Sequence, residues 1–189
     1  MAINVLTLVG SLRSGSTNGQ LAEAAVAHAP EGIEVTLFSG IADLPFYNED
    51  IDVAGQVPAA AAKLREAASS ADAFVLVSPE YNGTMPAVLK NAIDWLSRPF
   101  GAGAMTGKPT AVIGTAFGQF GGVWAQDEAR KAAGIAGANV LEDAKLAIPG
   151  SLTRFAELHP KDDAEVAAQV SEVLAALKGA AEKNLVAQG

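Results

Sequence analysis

The chain alternates between short apolar runs and longer segments in which apolar residues recur at helical spacing. Short apolar runs predict five β-strands, at residues 3–9, 33–38, 73–77, 110–115 and within 140–148. Apolar residues at helical spacing predict helices that begin near Gly19 and cover about 57–70, 86–97, 121–136 and 163–177. Strands that alternate with helices imply an α/β fold, a doubly wound parallel sheet with right-handed crossovers and helices on both faces.

The predicted elements show no internal boundary or repeat, so residues 1–189 are expected to form a single domain. Half of the residues are hydrophobic, which is enough for a sizeable core. The segment Ser39–Gly55 is predicted to be a polar loop, and the residues after Lys178 are predicted to fray.

Composition excludes several classes of function. A net charge of −8 and a pI near 4.7 argue against broad binding of nucleic acid or anionic membranes. The absence of cysteine excludes disulfides, thiolate metal sites and cysteine nucleophiles. No signal-peptide pattern or membrane-length apolar run is present, so a cytoplasmic location is expected. His28 and His159 lie far apart, and both are expected in solvated helix-end or loop positions.

The first strand is followed by a turn rich in glycine and hydroxyl side chains, Gly10-Ser11-Leu12-Arg13-Ser14-Gly15-Ser16-Thr17-Asn18. The helix after it would present unpaired backbone N–H groups and the positive end of its dipole. Ser11, Ser16, Thr17 and Asn18 add hydrogen-bonding groups, and Arg13 adds a cation. The turn lacks the Walker A and G-x-G-x-x-G patterns. It is typical either of a site for a terminal phosphate or of an ordinary strand-to-helix loop capped by Ser or Thr.

The loop after the third strand, Ser78–Pro86, has a composition unusual for a plain connector. Pro79 stiffens the exit from the strand, and Asn82-Gly83 favours a turn with positive φ angles. Such a turn would direct backbone N–H groups and the Tyr81 ring towards one place, where they could contact the edge of a flat heteroaromatic ring. The alternative is a tight turn that merely starts the next helix.

The loop after the fourth strand contains Gly118, Gly121 and Gly122. Glycines allow a planar ligand to lie against bare backbone, although they also occur in loops selected for mobility. Ligands of open α/β sheets bind beyond the carboxyl ends of the strands, where the strand order reverses, so the three loops should converge. A phosphate at one end and a flat ring at the other match flavin mononucleotide (FMN), which flavodoxin-like folds bind at this point.

Several motifs carry a resemblance to a known family. They are Gly10-Ser11-Leu12-Arg13 with Ser16 and Asn18, Pro79-Glu80-Tyr81-Asn82-Gly83 with Pro86, Leu89–Arg98, Gly118 with Gly121-Gly122, and Leu44–Asp50. In these motifs the sequence resembles the NADPH-dependent FMN reductases of the flavodoxin-like superfamily, which include quinone, chromate and azo-dye reductases. The resemblance runs from the N-terminus to about residue 130, and the second motif is the most specific.

The resemblance implies a flavodoxin-like sheet of order 2-1-3-4-5 and a homodimer or homotetramer. It implies ping-pong hydride transfer from NADPH or NADH to FMN and then to an acceptor such as free flavin, a quinone, an azo compound or chromate. The chemistry belongs to FMN, so no catalytic side chain and no metal are expected. The implied cofactor-binding residues are Ser11, Arg13, Ser16, Thr17, Asn18, Pro79, Glu80, Tyr81, Asn82, Gly83, Gly118, Gly121 and Gly122.

One position departs from the family pattern. Relatives often carry Arg two residues after the paired glycines, whereas this chain has Trp124. A contact that this Arg makes in relatives, with an anion or with another subunit, is therefore not assigned to this chain. The alternative function is a flavodoxin-type electron carrier that does not use NADPH directly, and a weaker one is a sensor or scaffold that has lost FMN.

Two carboxylates could suggest a hydrolase, and two others a metal site. Asp94 follows Lys90 by four residues, which predicts an ion pair on a helix surface, and Glu80 is expected to position its loop or a neighbour. Asp50 and Asp52 have no further metal-ligating residues at a sequence spacing that would complete a metal site. The aromatic residues of the Leu44–Asp50 loop are expected either at a subunit interface, covering a neighbouring flavin, or packed beneath their own loop.

Overall fold

The structure is a computed structural model that describes residues 2–188, and its centre is a sheet of five parallel strands. The strands are β1 (Ile3–Val9), β2 (Ile33–Leu37), β3 (Ala73–Val77), β4 (Pro109–Thr115) and β5 (Asn139–Ile148). Their order in the sheet is β2-β1-β3-β4-β5, and every neighbouring pair is parallel. The predicted flavodoxin-like fold is confirmed.

Within the described residues, six α-helices connect and follow the strands. They are α1 (Thr17–Ala27), α2 (Ala59–Ser70), α3 (Ala87–Leu96), α4 (Val123–Ile135), α5 (Ser151–Arg154) and α6 (Ala164–Gln188). The polar loop after β2 contains two 3₁₀ turns, and a third 3₁₀ turn precedes α6. None of the helices between residues 2 and 188 combines the length and apolar character that a membrane crossing requires.

The central strands are buried on both faces, as their continuous apolar sequences predict. In β3, Val75 and Val77 face a core built with α1 and α6, whereas Phe74 and Leu76 face a core built with α2, α3 and α4. The alternation of side chains along a strand therefore divides the apolar residues between two layers of helices. This arrangement leaves the carboxyl ends of the strands for the loops that carry the candidate site.

The C-terminal part of the chain differs from the sequence prediction. The helix predicted to fray after Lys178 continues as α6 to Gln188. Ala181 is buried in the core, and Asn184 Nδ2 donates to the carbonyl of Gly107 at 2.8 Å. These tertiary contacts extend the helix beyond the apolar spacing that was visible in the sequence. The predicted fraying was wrong.

The last strand is longer and less regular than predicted. β5 spans ten residues, and its pairing with β4 shifts between Thr110, which lies opposite Val140, and Val112, which lies opposite Lys145. The extra residues form an irregularity on an edge strand, a common device that discourages pairing with other chains. The alternation of apolar and polar residues is interrupted at this irregularity, which explains why the sequence predicts only a short strand.

Candidate functional site

The turn after β1 ends in a capped helix. Ser16 is the N-cap of α1, and its Oγ accepts a hydrogen bond from the Gly19 N–H at 3.0 Å. The cap takes one of the N-terminal donors of the helix and leaves the N–H groups of Thr17 and Asn18 at its open end. The Ser16 hydroxyl keeps its own proton, which it can donate. The turn is therefore a capped strand-to-helix loop that also has the donors needed for an anion.

Asn18 joins this turn to the end of β4. Its side-chain Nδ2 donates to the carbonyl of Thr115 at 2.9 Å, and its Oδ1 accepts from the Thr115 N–H at 3.0 Å. Asn18 is only 6% exposed, so both bonds are shielded from water. Sequence reasoning gave Asn18 as a phosphate neighbour and did not detect this link, because no local pattern relates residues 97 positions apart.

Arg13 lies on the outside of the same turn. Its side chain is exposed and forms no ion pair within residues 2–188. Ser11, two residues earlier, is half-buried. A guanidinium group without a carboxylate partner, next to an open helix N-terminus, can accept a phosphate without first breaking an ion pair.

Gly10 brings the first and second loops into contact. Its N–H donates to the carbonyl of Val77 at 2.8 Å. A Cβ atom at this position would lie 3.2 Å from both Pro79 Cδ and Leu89 Cβ, tighter than ordinary packing. Glycine is thus favoured by the close approach of the loop after β3 and of α3.

The loop after β3 has the turn that its sequence predicts. Asn82 and Gly83 have φ angles of 53° and 79°. The residues on either side, Tyr81 and Thr84, exchange two backbone hydrogen bonds of 3.0 and 3.2 Å. Positive φ at both central residues is typical of a type I′ turn. The N–H groups of Asn82 and Gly83 remain at the exposed tip, beside the half-exposed ring of Tyr81.

Glu80 caps another helix. Its Oε2 accepts from the N–H of Ala125, in the first turn of α4, at 3.2 Å. A carboxylate at a helix N-terminus is stabilised by the unpaired N–H groups and by the helix dipole. This contact confirms that Glu80 positions its neighbour, and it ties the second loop to the third.

The glycines after β4 have different roles. Gly121 has a φ angle of 64°, and a Cβ there would lie 2.7 Å from backbone atoms of Ala147 and Ile148. Gly122, with a φ angle of 82°, is the residue from which α4 starts. Gly118 has no atom within 4 Å of its Cβ position. The fold therefore requires glycine at two of the three positions and leaves Gly118 open to solvent or a ligand.

The other candidate groups of the sequence form local contacts. Lys90 Nζ lies 2.7 and 2.8 Å from the two carboxylate oxygens of Asp94, the predicted ion pair. Asp52 accepts two hydrogen bonds from Arg65, and these bonds lower the pKa of the Asp52 carboxyl below its usual value. In the part of the chain that the structure describes, no three His, Asp or Glu residues are grouped to hold a metal.

The two aromatic residues of the Leu44–Asp50 loop have different environments. Tyr47 packs edge-on against the buried Trp95, with ring centroids 5.0 Å apart, and its N–H donates to Asn91 Oδ1. Phe46 is 79% exposed. One ring therefore packs beneath its own loop, and the other remains available on the surface.

Both histidines lie at helix ends, as expected, and each also makes a tertiary contact. His28 follows α1, and its Nε2 donates to the carbonyl of Lys161 at 2.6 Å. His159 caps the 3₁₀ turn before α6, and its Nε2 lies 3.0 Å from Glu23 Oε2. Together they attach this segment to α1.

A groove of about 570 Å³ borders the second loop at Met85 and otherwise lies apart from the three loops. It runs between α3 and α4 and is lined by residues such as Lys90, Asp94, Phe100, Lys131 and Ile135. None of the predicted cofactor residues borders it. The site indicated by open N–H donors, an unpaired Arg and exposed glycines is instead the carboxyl edge of the sheet.

The sheet order and the three linked loops at its carboxyl edge define a flavodoxin-like protein. Residues 3–153 match the family model described as NADPH-dependent FMN reductase, and the chain belongs to this family. Members of the family use FMN and NAD(P)H, so the protein is an oxidoreductase.

Individual relatives agree with this assignment. The chain is 43% identical over 130 residues to a 2-hydroxy-1,4-benzoquinone reductase from a Burkholderia species, a match that covers 69% of each chain. It is 41% identical over 129 residues to a quinone reductase of Escherichia coli K12, covering 68% of each. The solved structure of FerB, a flavoenzyme NAD(P)H:(acceptor) oxidoreductase from Paracoccus denitrificans, is 30% identical, with a TM-score of 0.82 over 96% of this chain and 98% of that one.

Proposed function

We propose that the protein binds FMN at the carboxyl edge of its sheet and reduces a small-molecule acceptor with NAD(P)H in a ping-pong cycle. When bound, FMN supplies the chemistry, taking a hydride from the nicotinamide and passing electrons to the acceptor. The observation that carries the proposal is the meeting of an open helix N-terminus, an unpaired Arg and an exposed positive-φ turn at one edge. The names of the relatives favour a quinone as the acceptor; free flavin, azo compounds and chromate are the other classes to test.

The turn after β1 would hold the phosphate. The N–H groups of Thr17 and Asn18 point out of the start of α1, and the hydroxyls of Ser11, Ser16 and Thr17 can donate hydrogen bonds. Arg13 would add a charge-assisted bond. Because Asn18 is fixed to Thr115, the donors are already in place before the ligand arrives. That preorganisation lowers the entropic cost of binding.

The other two loops would hold the ring. One wall would consist of Pro79, Glu80, Tyr81, Asn82 and Gly83. The N–H groups of Asn82 and Gly83, at the tip of the turn, would face the polar edge of the ring. Fixed N–H donors stabilise negative charge that develops during reduction. Gly118, Gly121 and Gly122 contribute the opposite wall, where Gly118 allows close approach to the backbone.

This arrangement needs no nucleophilic side chain. Glu80 is occupied in capping α4, and Asp94 is paired with Lys90. The described elements pack on one sheet, which supports a single FMN-binding domain over residues 1–189. The exposed Phe46 ring is a candidate contact in a homodimer or homotetramer. A cytoplasmic location would give access to NAD(P)H.

Absorbance spectroscopy and steady-state kinetics test the proposal. The protein, purified with FMN added, should retain the flavin spectrum after gel filtration and oxidise NADPH or NADH when a benzoquinone is supplied. Retained FMN without oxidation of either nicotinamide would indicate a flavodoxin-type electron carrier instead. Failure to retain FMN would refute the proposed site.

A further inference from the structure

Two exposed aromatic rings mark the start of α4. Phe120 and Trp124 are each 53% exposed, and their ring centroids lie 5.5 Å apart at an angle of 55°. Phe117, in the same segment, is exposed as well. Burial of aromatic rings is strongly favourable, so a pair that packs together yet stays open to solvent offers an unfilled apolar contact.

The pair lies at the rim of the candidate flavin site. Trp124 directly precedes Ala125, whose N–H donates to Glu80 in the second loop. Gly122, between the two aromatic residues, lies so close to Glu80 that a Cβ there would be 3.6 Å from the Glu80 Cβ. The rings therefore border the place where the second and third loops meet, where an acceptor would approach.

The charges around the pair are mainly negative. Glu80, which contacts the start of α4, is acidic, and Asp127 is 62% exposed on the same helix. The first cation of α4, Arg130, is only 7% exposed and is paired with Asp127. Glu128 and Lys131, of opposite charge, both line the groove between α3 and α4. An anionic acceptor would meet net repulsion at these rings, whereas a neutral one would not.

The exposed area of the pair suits a small molecule better than a second protein chain. Half-exposed Phe and Trp side chains present about 200 Å² together, judged from the areas that aromatic residues bury. A stable protein interface needs about 800 Å² from each partner. A single flat ring system can cover the pair, and offset stacking on aromatic side chains favours such a ligand.

We infer that Phe120 and Trp124 form an acceptor-docking wall that selects flat, uncharged acceptors of the quinone class over anionic ones. This inference rests on the proposed function. The reaction it concerns is balanced by groups already named: NAD(P)H and one proton convert the quinone to its hydroquinone and leave NAD(P)⁺. The two aromatic residues bind and orient the acceptor and carry no electrons themselves.

Steady-state kinetics of the FMN-loaded protein test the inference with two acceptors, 2,3-dimethyl-1,4-benzoquinone, which is neutral, and ferricyanide, which is an anion. Trp124→Ala should lower kcat/KM for the quinone by about threefold to tenfold, mainly through KM, because a stacking contact of that size is lost. The ferricyanide value should stay within about twofold. Trp124→Arg should lower the quinone value and raise the ferricyanide value. Phe100→Ala, which removes an exposed ring in the groove between α3 and α4, is the matched control and should change neither.

Tryptophan fluorescence gives a second readout that does not depend on turnover. The chain has two tryptophans, and Trp95 is fully buried whereas Trp124 is exposed. Titration of the oxidised, FMN-loaded protein with the quinone, without NAD(P)H, should quench part of the emission in a saturable way. The saturable part should disappear in Trp124→Phe, which retains only the buried Trp95.

Three results would overturn the inference while leaving the proposed function intact. They are unchanged quinone kinetics in Trp124→Ala, an equal loss with both acceptors, and conversion of an oligomer to a monomer by that substitution in light-scattering measurements. The last result would make the pair a subunit contact. Absence of NAD(P)H oxidation in the unsubstituted protein would instead refute the proposed function, and the inference with it.

Discussion

Replacement of Asn18 by Ala should destabilise the protein far more than its position in a surface turn suggests. The substitution removes both side-chain bonds to Thr115, of 2.9 and 3.0 Å, and leaves a buried N–H and a buried carbonyl without these partners. Each unsatisfied buried group costs about 1–3 kcal/mol. Water that enters the space left by the amide would recover part of this, so the expected loss is about 2–4 kcal/mol.

Urea unfolding of the FMN-free protein, followed by circular dichroism, measures this loss. For a chain of this size, the expected loss corresponds to a fall in Tm of about 5–15 °C. Asn48→Ala is the matched control, because Asn48 also accepts a backbone bond, from Asp50 at 3.0 Å, but does so on the exposed surface. The control should lose about 1 kcal/mol or less.

The same variant should also bind FMN more weakly, since the first turn is no longer fixed to β4. Asn18→Asp refines the test, because it keeps the acceptor for the Thr115 N–H and loses the donor to the Thr115 carbonyl. If the free energy of unfolding of Asn18→Ala is within about 0.5 kcal/mol of that of the unsubstituted protein, the hydrogen bonds between Asn18 and Thr115 do not stabilise the fold as proposed.

The remaining predictions concern single positions. Arg13→Ala should weaken FMN binding by about 10- to 100-fold without changing the unfolding free energy, because one charge-assisted bond is lost from an exposed side chain; an unchanged Kd in flavin-fluorescence titration would contradict the phosphate assignment. Gly121→Ala should cost about 2 kcal/mol or more in urea unfolding, because φ is 64° and the new Cβ meets backbone. Gly118→Ala, with open space at its Cβ position, is its control. A hydrogen bond from Arg154 lowers the pKa of the Asp163 carboxyl below its usual value. The stabilisation by Asp163 is therefore complete above the unfolded pKa and is lost as pH falls through the folded pKa. Asp163→Asn should therefore flatten the loss of stability on acidification below about pH 4, and an unchanged slope in urea unfolding across that range would count against the ion pair.

Local signals in the sequence were sufficient for much of the fold. The apolar run at 73–77 coincides with β3, because a strand buried on both faces needs no polar positions. Asn82-Gly83 predicted the positive φ angles, because few other residue pairs adopt them at low cost. Both features are determined by residues that are close together in the sequence, which is the range over which sequence patterns are informative.

Features that depend on tertiary contacts were not visible in this way. The continuation of α6 depends on Ala181 reaching the core and on Asn184 reaching Gly107, 77 positions earlier. The irregular register of β5 appears only in its pairing with β4. The link between Asn18 and Thr115 belongs to the same class, since a polar residue after a Ser cap looks like an ordinary first turn of a helix. Such residues become identifiable only when the strand order places their partners beside them.

The positions of these long-range contacts indicate how the site keeps its shape. Three contacts connect the loops after β1, β3 and β4 pairwise: Gly10 N–H to Val77, Asn18 to Thr115, and Glu80 to Ala125. The side chains left exposed at the same edge, Arg13 and Tyr81, make none of these links. The side chains of Asn18 and Glu80, which fix the loops, thus differ from the exposed side chains of Arg13 and Tyr81, which make no such link. Substitutions in the first set should therefore alter stability and FMN affinity together, whereas substitutions in the second should alter affinity alone.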